Sequence, residues 1–210
     1  MLQADKPIVL AITGASGFIY GLKILETLLF NKKSVDLIIS KHALTVAKLE
    51  HDVDLEAKNL AELKAKVNFY LKEQGIDFET KQLRIWSEDN IAASCASGSY
   101  RTQGMIIAPC STATLANIAH GTSHNLVSRS ADVTLKERQK LILLLRETPL
   151  STLHLKNALS LSEAGAVIVP AIPAFYYMPK TIEDHNNFIV GKTLDAFGLE
   201  YNLFKRWATY

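Results

Sequence analysis

Two short segments of this sequence pair small residues with hydroxyl side chains, a combination that can cradle a phosphate. Thr13-Gly14-Ala15-Ser16-Gly17 follows one apolar run, and Pro109-Cys110-Ser111-Thr112 follows another. Free N–H groups at a helix start, with a hydroxyl beside them, make a small anion site. The glycine segment falls short of a full G-x-G-x-x-G fingerprint, because two residues separate Gly14 from Gly17 and Ile19 takes the last position. Asp36 lies inside the next apolar run, which closes with Ser40 rather than with an acid for a ribose. A mononucleotide phosphate therefore fits better than a dinucleotide. A tight turn is the other reading of Gly14 and Gly17, and helix capping is the other reading of Ser111 and Thr112. Arg146-Glu147 follows five apolar residues, so Arg146 is suited to hold an anion and Glu147 to move a proton; an ordinary surface pair is the alternative. Arg129 and Lys136 could join a phosphate cluster, although Lys136-Glu137-Arg138 also reads as a solvated turn. Tyr176 and Tyr177 suit either a flat ligand or a packed core. Lys192 and Trp207, taken alone, read as a helix-surface lysine and a packing tryptophan. Cys110 has no base placed near it and reads as a small buried residue. None of the six histidines has metal-ligand spacing, and no metal site is expected.

These groups need a scaffold that brings strand ends together. The chain's 210 residues suffice for one compact α/β domain, and a net charge of +2 gives no support for coating a nucleic acid. Two cysteines make neither a disulfide framework nor a structural zinc site. No signal peptide is read, and no apolar run approaches the roughly 20 residues of a membrane helix. A soluble cytoplasmic protein is the expectation. Buried-strand patterns fall at 8–13, 35–39, 105–108, 140–145 and 166–169, with a further short strand possible at 81–86. Helical patterns fall at about 19–30, 42–50, 56–74, 113–119, 154–163 and 182–197, and 92–104 reads as a loop. Apolar strands alternating with helices predict an open, doubly wound, mostly parallel sheet with helices on both faces. Such sheets bind ligands beyond the carboxyl ends of their strands, where the segments above all fall.

The motifs, taken together and in order, resemble the UbiX/Pad1 family of flavin prenyltransferases. The resemblance is carried by Thr13 to Gly21, Ile39-Ser40-Lys41, Pro109 to Gly121, Asn125 to Arg138, Arg146 to Leu150 and Pro170 to Tyr176, and spans about 7–207. It implies a flavodoxin-like or Rossmann-like fold, with 1–210 as a single flavoprotein domain whose C-terminal segment, about 181–210, completes the site. It implies a metal-independent transfer of a dimethylallyl group from dimethylallyl monophosphate to N5 and C6 of reduced FMN. The product, prenylated FMN, would serve a UbiD-type decarboxylase, and the protein would assemble as a homo-oligomer, a dodecamer built from trimers.

The resemblance also implies roles. FMN contacts carry over to Gly14, Ala15, Ser16, Ser40, Ser111, Thr112, Arg129 and Arg146, with the FMN phosphate near Ser111 rather than on the Gly14 turn. The donor's phosphate carries over to Lys136, Arg146, Tyr176 and Lys192, the last standing where many members have Arg. Glu147 matches a proton-transfer residue near that phosphate, Ser16 a hydroxyl near flavin N5, Glu50 a carboxylate beside the site, and Trp207 a residue of the apolar pocket. Two other classes stay open: an FMN-dependent oxidative decarboxylase, which would need a histidine near the flavin, and an FMN-binding protein without turnover.

Overall fold

The run Ile8–Ile12 (β1) is buried along its whole length, as are Val35–Ile39 (β2) and Gly104–Cys110 (β4). Such strands need cover on both faces. The computed structural model, which describes residues 6–51 and 53–207, supplies it. The reading of Met1 to Asp5 and the last three residues of the C-terminal segment lie outside those residues. Leu83–Ser87 (β3), Lys140–Leu145 (β5) and Val167–Pro170 (β6) complete a six-stranded sheet in the order β3-β2-β1-β4-β5-β6. All neighbouring strands pair in parallel. The short strand expected at 81–86 is therefore real, and the sheet is wholly rather than mostly parallel.

Side chains alternate between the two faces. Ile8, Leu10 and Ile12 join one core with helices Phe18–Phe30 (α1), Lys41–His51 (α2), Leu60–Glu73 (α3) and Ile182–Phe197 (α7). Val9 and Ala11 join the other, with Thr112–Ala119 (α4), Leu126–Lys136 (α5) and Thr152–Glu163 (α6). Helix ends follow local chemistry: Ser111, Ser151 and Thr181 accept a backbone N–H as N-caps, and Gly198 ends α7 at φ 93°.

Two elements differ most from the sequence reading, while helix α3 starts at Leu60 rather than at 56 and edge strand β6 is half exposed rather than buried. Helix α5 had no counterpart in that reading, because Ser128, Arg129, Ser130, Asp132 and Thr134 dilute the helical pattern. A capping box at Asn125 and Ser128 starts this helix, and Ser128, Ser130 and Thr134 are buried in it. Lys136 closes the helix rather than lying in a turn, and Arg138 takes up the turn at φ 56°. Strand β4 also continues through Pro109 and Cys110, beyond the expected end at 108.

Asp36 is the one carboxylate among the described buried residues, at 0% exposure as the second residue of β2. Its oxygens accept from Arg84 Nε at 2.8 Å, Trp86 Nε1 at 3.0 Å and the Tyr100 hydroxyl at 3.0 Å. Arg84 also donates to that hydroxyl. The network ties edge strand β3 and the 92–104 segment to the sheet. Burial, and then the Asp36 charge, push the Tyr100 phenol up to about 12.

Candidate active site

In the order 3-2-1-4-5-6 the chain reverses direction across the sheet between β1 and β4, which opens a crevice at their carboxyl ends. Thr13 stitches that seam. Its hydroxyl donates to the Pro109 carbonyl at 2.7 Å and accepts the Ser111 N–H at 2.9 Å. A cavity of about 490 Å³ sits above, lined by the Gly14–Ser16 turn, Ser40, Ser111, Thr112 and Arg146. Gly14 is required by close approach: a Cβ there would lie 2.5 Å from His42 Cβ on α2.

The two helix starts in this crevice are unlike each other. At α1 the Gly17 N–H is taken by Glu50 Oε2 at 2.8 Å, and the Ala15 N–H by the Thr13 carbonyl. At α4 Ser111 caps Thr114, while Thr112 and Ala113 line the cavity with first-turn N–H groups that no helical carbonyl can reach. A carboxylate on the first start and open donors on the second favour a phosphate at α4. The donor set of hydroxyls, N–H groups and one guanidinium fits a phosphorylated, polyhydroxylated ligand such as FMN.

Arg146 and Glu147 follow β5. Arg146 Nε donates to the Ser16 carbonyl at 3.1 Å, so the Ser16–Gly17 turn is held by Arg146 on one side and Glu50 on the other. Tyr20 lies near both: burial raises its phenol, Arg146 lowers it and Glu50 raises it. The Arg146-Glu147 pair also lines a second cavity of about 260 Å³, whose other walls include Leu145, Pro149, Leu150, Pro170 and Ile172. One charged pair thus stands between a hydroxyl-rich cavity and an apolar one. Burial pushes the Cys110 thiol up to about 12, which leaves it a neutral packing group.

The structure gathers Gly14, Ala15, Ser16, Ser40, Ser111, Thr112, Arg146 and Glu147 around one cavity, with Glu50 bound to its turn. It does not gather the others within the same chain. Arg129 lies one turn into α5, with Nε on the Ala96 carbonyl and Nη1 on Asp132. Lys136 pairs with Glu137 at 3.0 Å and sits four residues before the start of β5, whereas Arg146 follows its end. A six-residue strand separates those ends by about 20 Å. Lys192 is exposed on α7. Tyr176 and Trp207 meet edge to face at 5.2 Å beside Phe188, with Trp207 74% exposed.

His42, Glu88 and Asn125 also line the cavity, and the sequence reading had given them no role. Glu88 accepts the Lys41 N–H at 2.7 Å and faces Asn125 Nδ2 at 3.4 Å, linking the starts of α2 and α5. The signal in the sequence is the carboxyl-end rule itself, since Glu88 directly follows β3. Asn125 could be found only with α5. A larger cavity, about 680 Å³, lies at the opposite end of the sheet. Its charged walls are largely engaged, Arg84 with Asp36 and Lys81 with Glu79, and it contains none of the turns described above. Among the described residues no group of three or more His, Cys, Asp or Glu could hold a metal, and no helix is long and apolar enough to cross a membrane.

A profile of the Flavoprotein family matches residues 2–192. Flavin prenyltransferase UbiX of Alkalihalophilus pseudofirmus is 43% identical over 205 residues, covering 98% of each chain. The protein of the same name from Pseudomonas aeruginosa is 42% identical over 206 residues, 98% of this chain and 96% of that one. Among solved structures, AnUbiX (PadA1) in complex with FMN and dimethylallyl pyrophosphate superposes with a TM-score of 0.83 at 39% identity, over 99% of this chain and 100% of that one. A dodecameric FMN-dependent UbiX-like decarboxylase from Escherichia coli O157:H7 gives 0.79 at 38%, over 96% and 98%. Fold, crevice and near full-length identity agree: this chain belongs to the UbiX flavin prenyltransferases of the Flavoprotein family.

Proposed function

We propose that this protein transfers a dimethylallyl group from dimethylallyl monophosphate to N5 and C6 of reduced FMN, making prenylated FMN for a UbiD-type decarboxylase. The observation that carries the reading is the Arg146-Glu147 pair, standing between a hydroxyl-rich cavity and an apolar one. Bound reduced FMN supplies the nucleophilic ring atoms. Thr112, Ala113 and Ser111 would hold its phosphate at the α4 start, and Gly14, Ala15, Ser16 and Ser40 its remainder. The apolar cavity suits the five-carbon chain and keeps water from an allylic cation. Arg146 offsets the donor's phosphate charge as it develops, and Glu147 delivers a proton to the departing phosphate. Ser16 and Glu50 handle the proton released where the new C–N bond forms. Tyr176 and Trp207, already in ring contact, extend an aromatic wall, and Lys192 adds charge from α7.

The separation of Lys136 and Arg129 from the cavity in their own chain supports a site completed by a neighbour, and a dodecamer is the assembly we propose. Lys136→Ala should weaken the donor's binding more than that of FMN. Co-assembly of Lys136→Ala with Glu147→Gln chains should restore part of the activity that each variant lacks alone, because some sites then receive both native groups. Mixed assemblies as inactive as their parents would remove Lys136 from the site.

The reading is tested by anaerobic incubation with reduced FMN and dimethylallyl monophosphate, followed by mass analysis of the flavin. Gain of one five-carbon unit is expected, dependent on the protein. Bound, unmodified FMN beside intact donor would overturn the reaction.

A further inference from the structure

We propose that Glu88 is the acceptor for the hydroxyl groups of the flavin's ribityl chain, and so selects a polyhydroxylated ligand for the crevice cavity. The inference rests on the placement of FMN in that cavity given above and adds a residue to it. Glu88 directly follows β3 and lines the cavity with Ser40 and Asn125. Its Oε1 accepts the Lys41 N–H at 2.7 Å, and its Oε2 accepts from Asn125 Nδ2 at 3.4 Å. The Glu88 carbonyl accepts the Leu126 N–H at 2.7 Å. Bonds to the starts of both α2 and α5 therefore fix this half-buried carboxylate in place. An ionised carboxylate offers about four acceptor positions. The two N–H groups fill two of them, and the others are left for the cavity.

The need for such an acceptor follows from the rest of the lining. The α4 side of the cavity presents donors: first-turn N–H groups, the Ser111 and Thr112 hydroxyls and the Arg146 guanidinium. Those suit a phosphate, which only accepts. A polyol must also donate, one O–H from every hydroxyl. Few side chains are placed to accept it. Asn125 spends Oδ1 on the Ser128 N–H and Nδ2 on Glu88 itself. Ser40 Oγ takes the Ala43 N–H at 3.2 Å. The other carboxylate of the lining, Glu147, follows β5 and accepts the Thr148 N–H. Glu88 stands across the seam from it, and strands β2 and β1 lie between β3 and the β4 end that carries the α4 start. The carboxylate is thereby kept apart from a phosphate that it would repel. Lys41 places its ammonium on Asp89 at 2.8 Å and gives Glu88 its backbone N–H. A hydroxyl donating to a fixed, charged acceptor makes one of the stronger hydrogen bonds available to an uncharged chain.

Fluorescence titration with two oxidised flavins tests this. One is FMN. The other keeps the ring and the terminal phosphate, with the three secondary hydroxyls of the ribityl chain replaced by hydrogen. Wild type should bind the deoxygenated analogue at least about tenfold more weakly than FMN, the worth of a hydrogen bond to a charged group. Equal affinities overturn the proposal without recourse to any variant. Glu88→Gln keeps the size of the side chain and can still accept the Lys41 N–H. It should weaken FMN about tenfold and leave the analogue unchanged, which closes a double-mutant cycle between the carboxylate and the hydroxyls. Equal weakening of both flavins makes Glu88 a clamp between α2 and α5 or a partner of the flavin ring, and overturns the proposal. Tighter binding of FMN by the variant sets the carboxylate beside the phosphate and overturns it as well. FMN affinity that depends on Glu88 in this way, with no five-carbon transfer by the wild type, locates the failure in the reaction reading and not in the cavity.

Discussion

Glu147→Gln should leave FMN binding unchanged and lower prenyl transfer about a hundredfold or more, the effect of removing a positioned proton donor. The substitution keeps size and hydrogen-bonding capacity, so the geometry around Arg146 is preserved. Glu147 accepts the Thr148 N–H at 3.0 Å, a bond the glutamine carbonyl can still accept. What is lost is the ability to hand a proton to the departing phosphate. Arg146 remains to offset charge, and the residual rate measures that contribution alone. Titration of FMN by fluorescence and single-turnover mass analysis separate the two effects. Turnover equal to wild type would take Glu147 out of the mechanism, and loss of both functions would make it a structural residue of the β5 end.

Asp36→Ala should cost about 3 kcal/mol of stability, the lower side of what breaking one partner of a buried ion pair costs. The carboxylate is fully buried and accepts from three side chains, so its removal strands Trp86 Nε1 and the Tyr100 hydroxyl as well as the guanidinium. The lower side applies because Arg84 is 45% exposed and can turn to water. Arg84→Met in the Asp36→Ala background should cost less than in wild type, as coupled partners do. Urea unfolding at fixed protein concentration checks both, since assembly makes stability concentration-dependent. A loss under about 1 kcal/mol, the worth of one ordinary hydrogen bond, would show that Asp36 does not anchor the edge strand.

Much of the scaffold was legible because its signals are local. A five-residue buried strand shows as an unbroken apolar run, a capped helix start as a hydroxyl before a periodic stretch, and a helix end as glycine. α7 was read to the residue, from Ile182 to Phe197, between Thr181 and Gly198. α5 was not, because its buried face carries Ser128, Ser130 and Thr134, whose fit depends on neighbours rather than on their own pattern. Losing α5 also hid Asn125.

By itself the sequence determined the strands, all but one of the α-helices, the carboxyl-end segments that carry the chemistry, and membership of the flavin prenyltransferases, since each is written in contiguous residues. The tertiary structure decided which of those segments meet. Strand order places the ends of β1 and β4 side by side, and this brings the Gly14 turn against the α4 start. It set Glu50 on the Gly17 N–H and so turned the α1 start from a phosphate site into a carboxylate site, a contact across 33 positions. It placed Lys136 at the far end of β5 from Arg146 although only ten positions separate them, because a parallel strand carries the chain from one end of the sheet to the other.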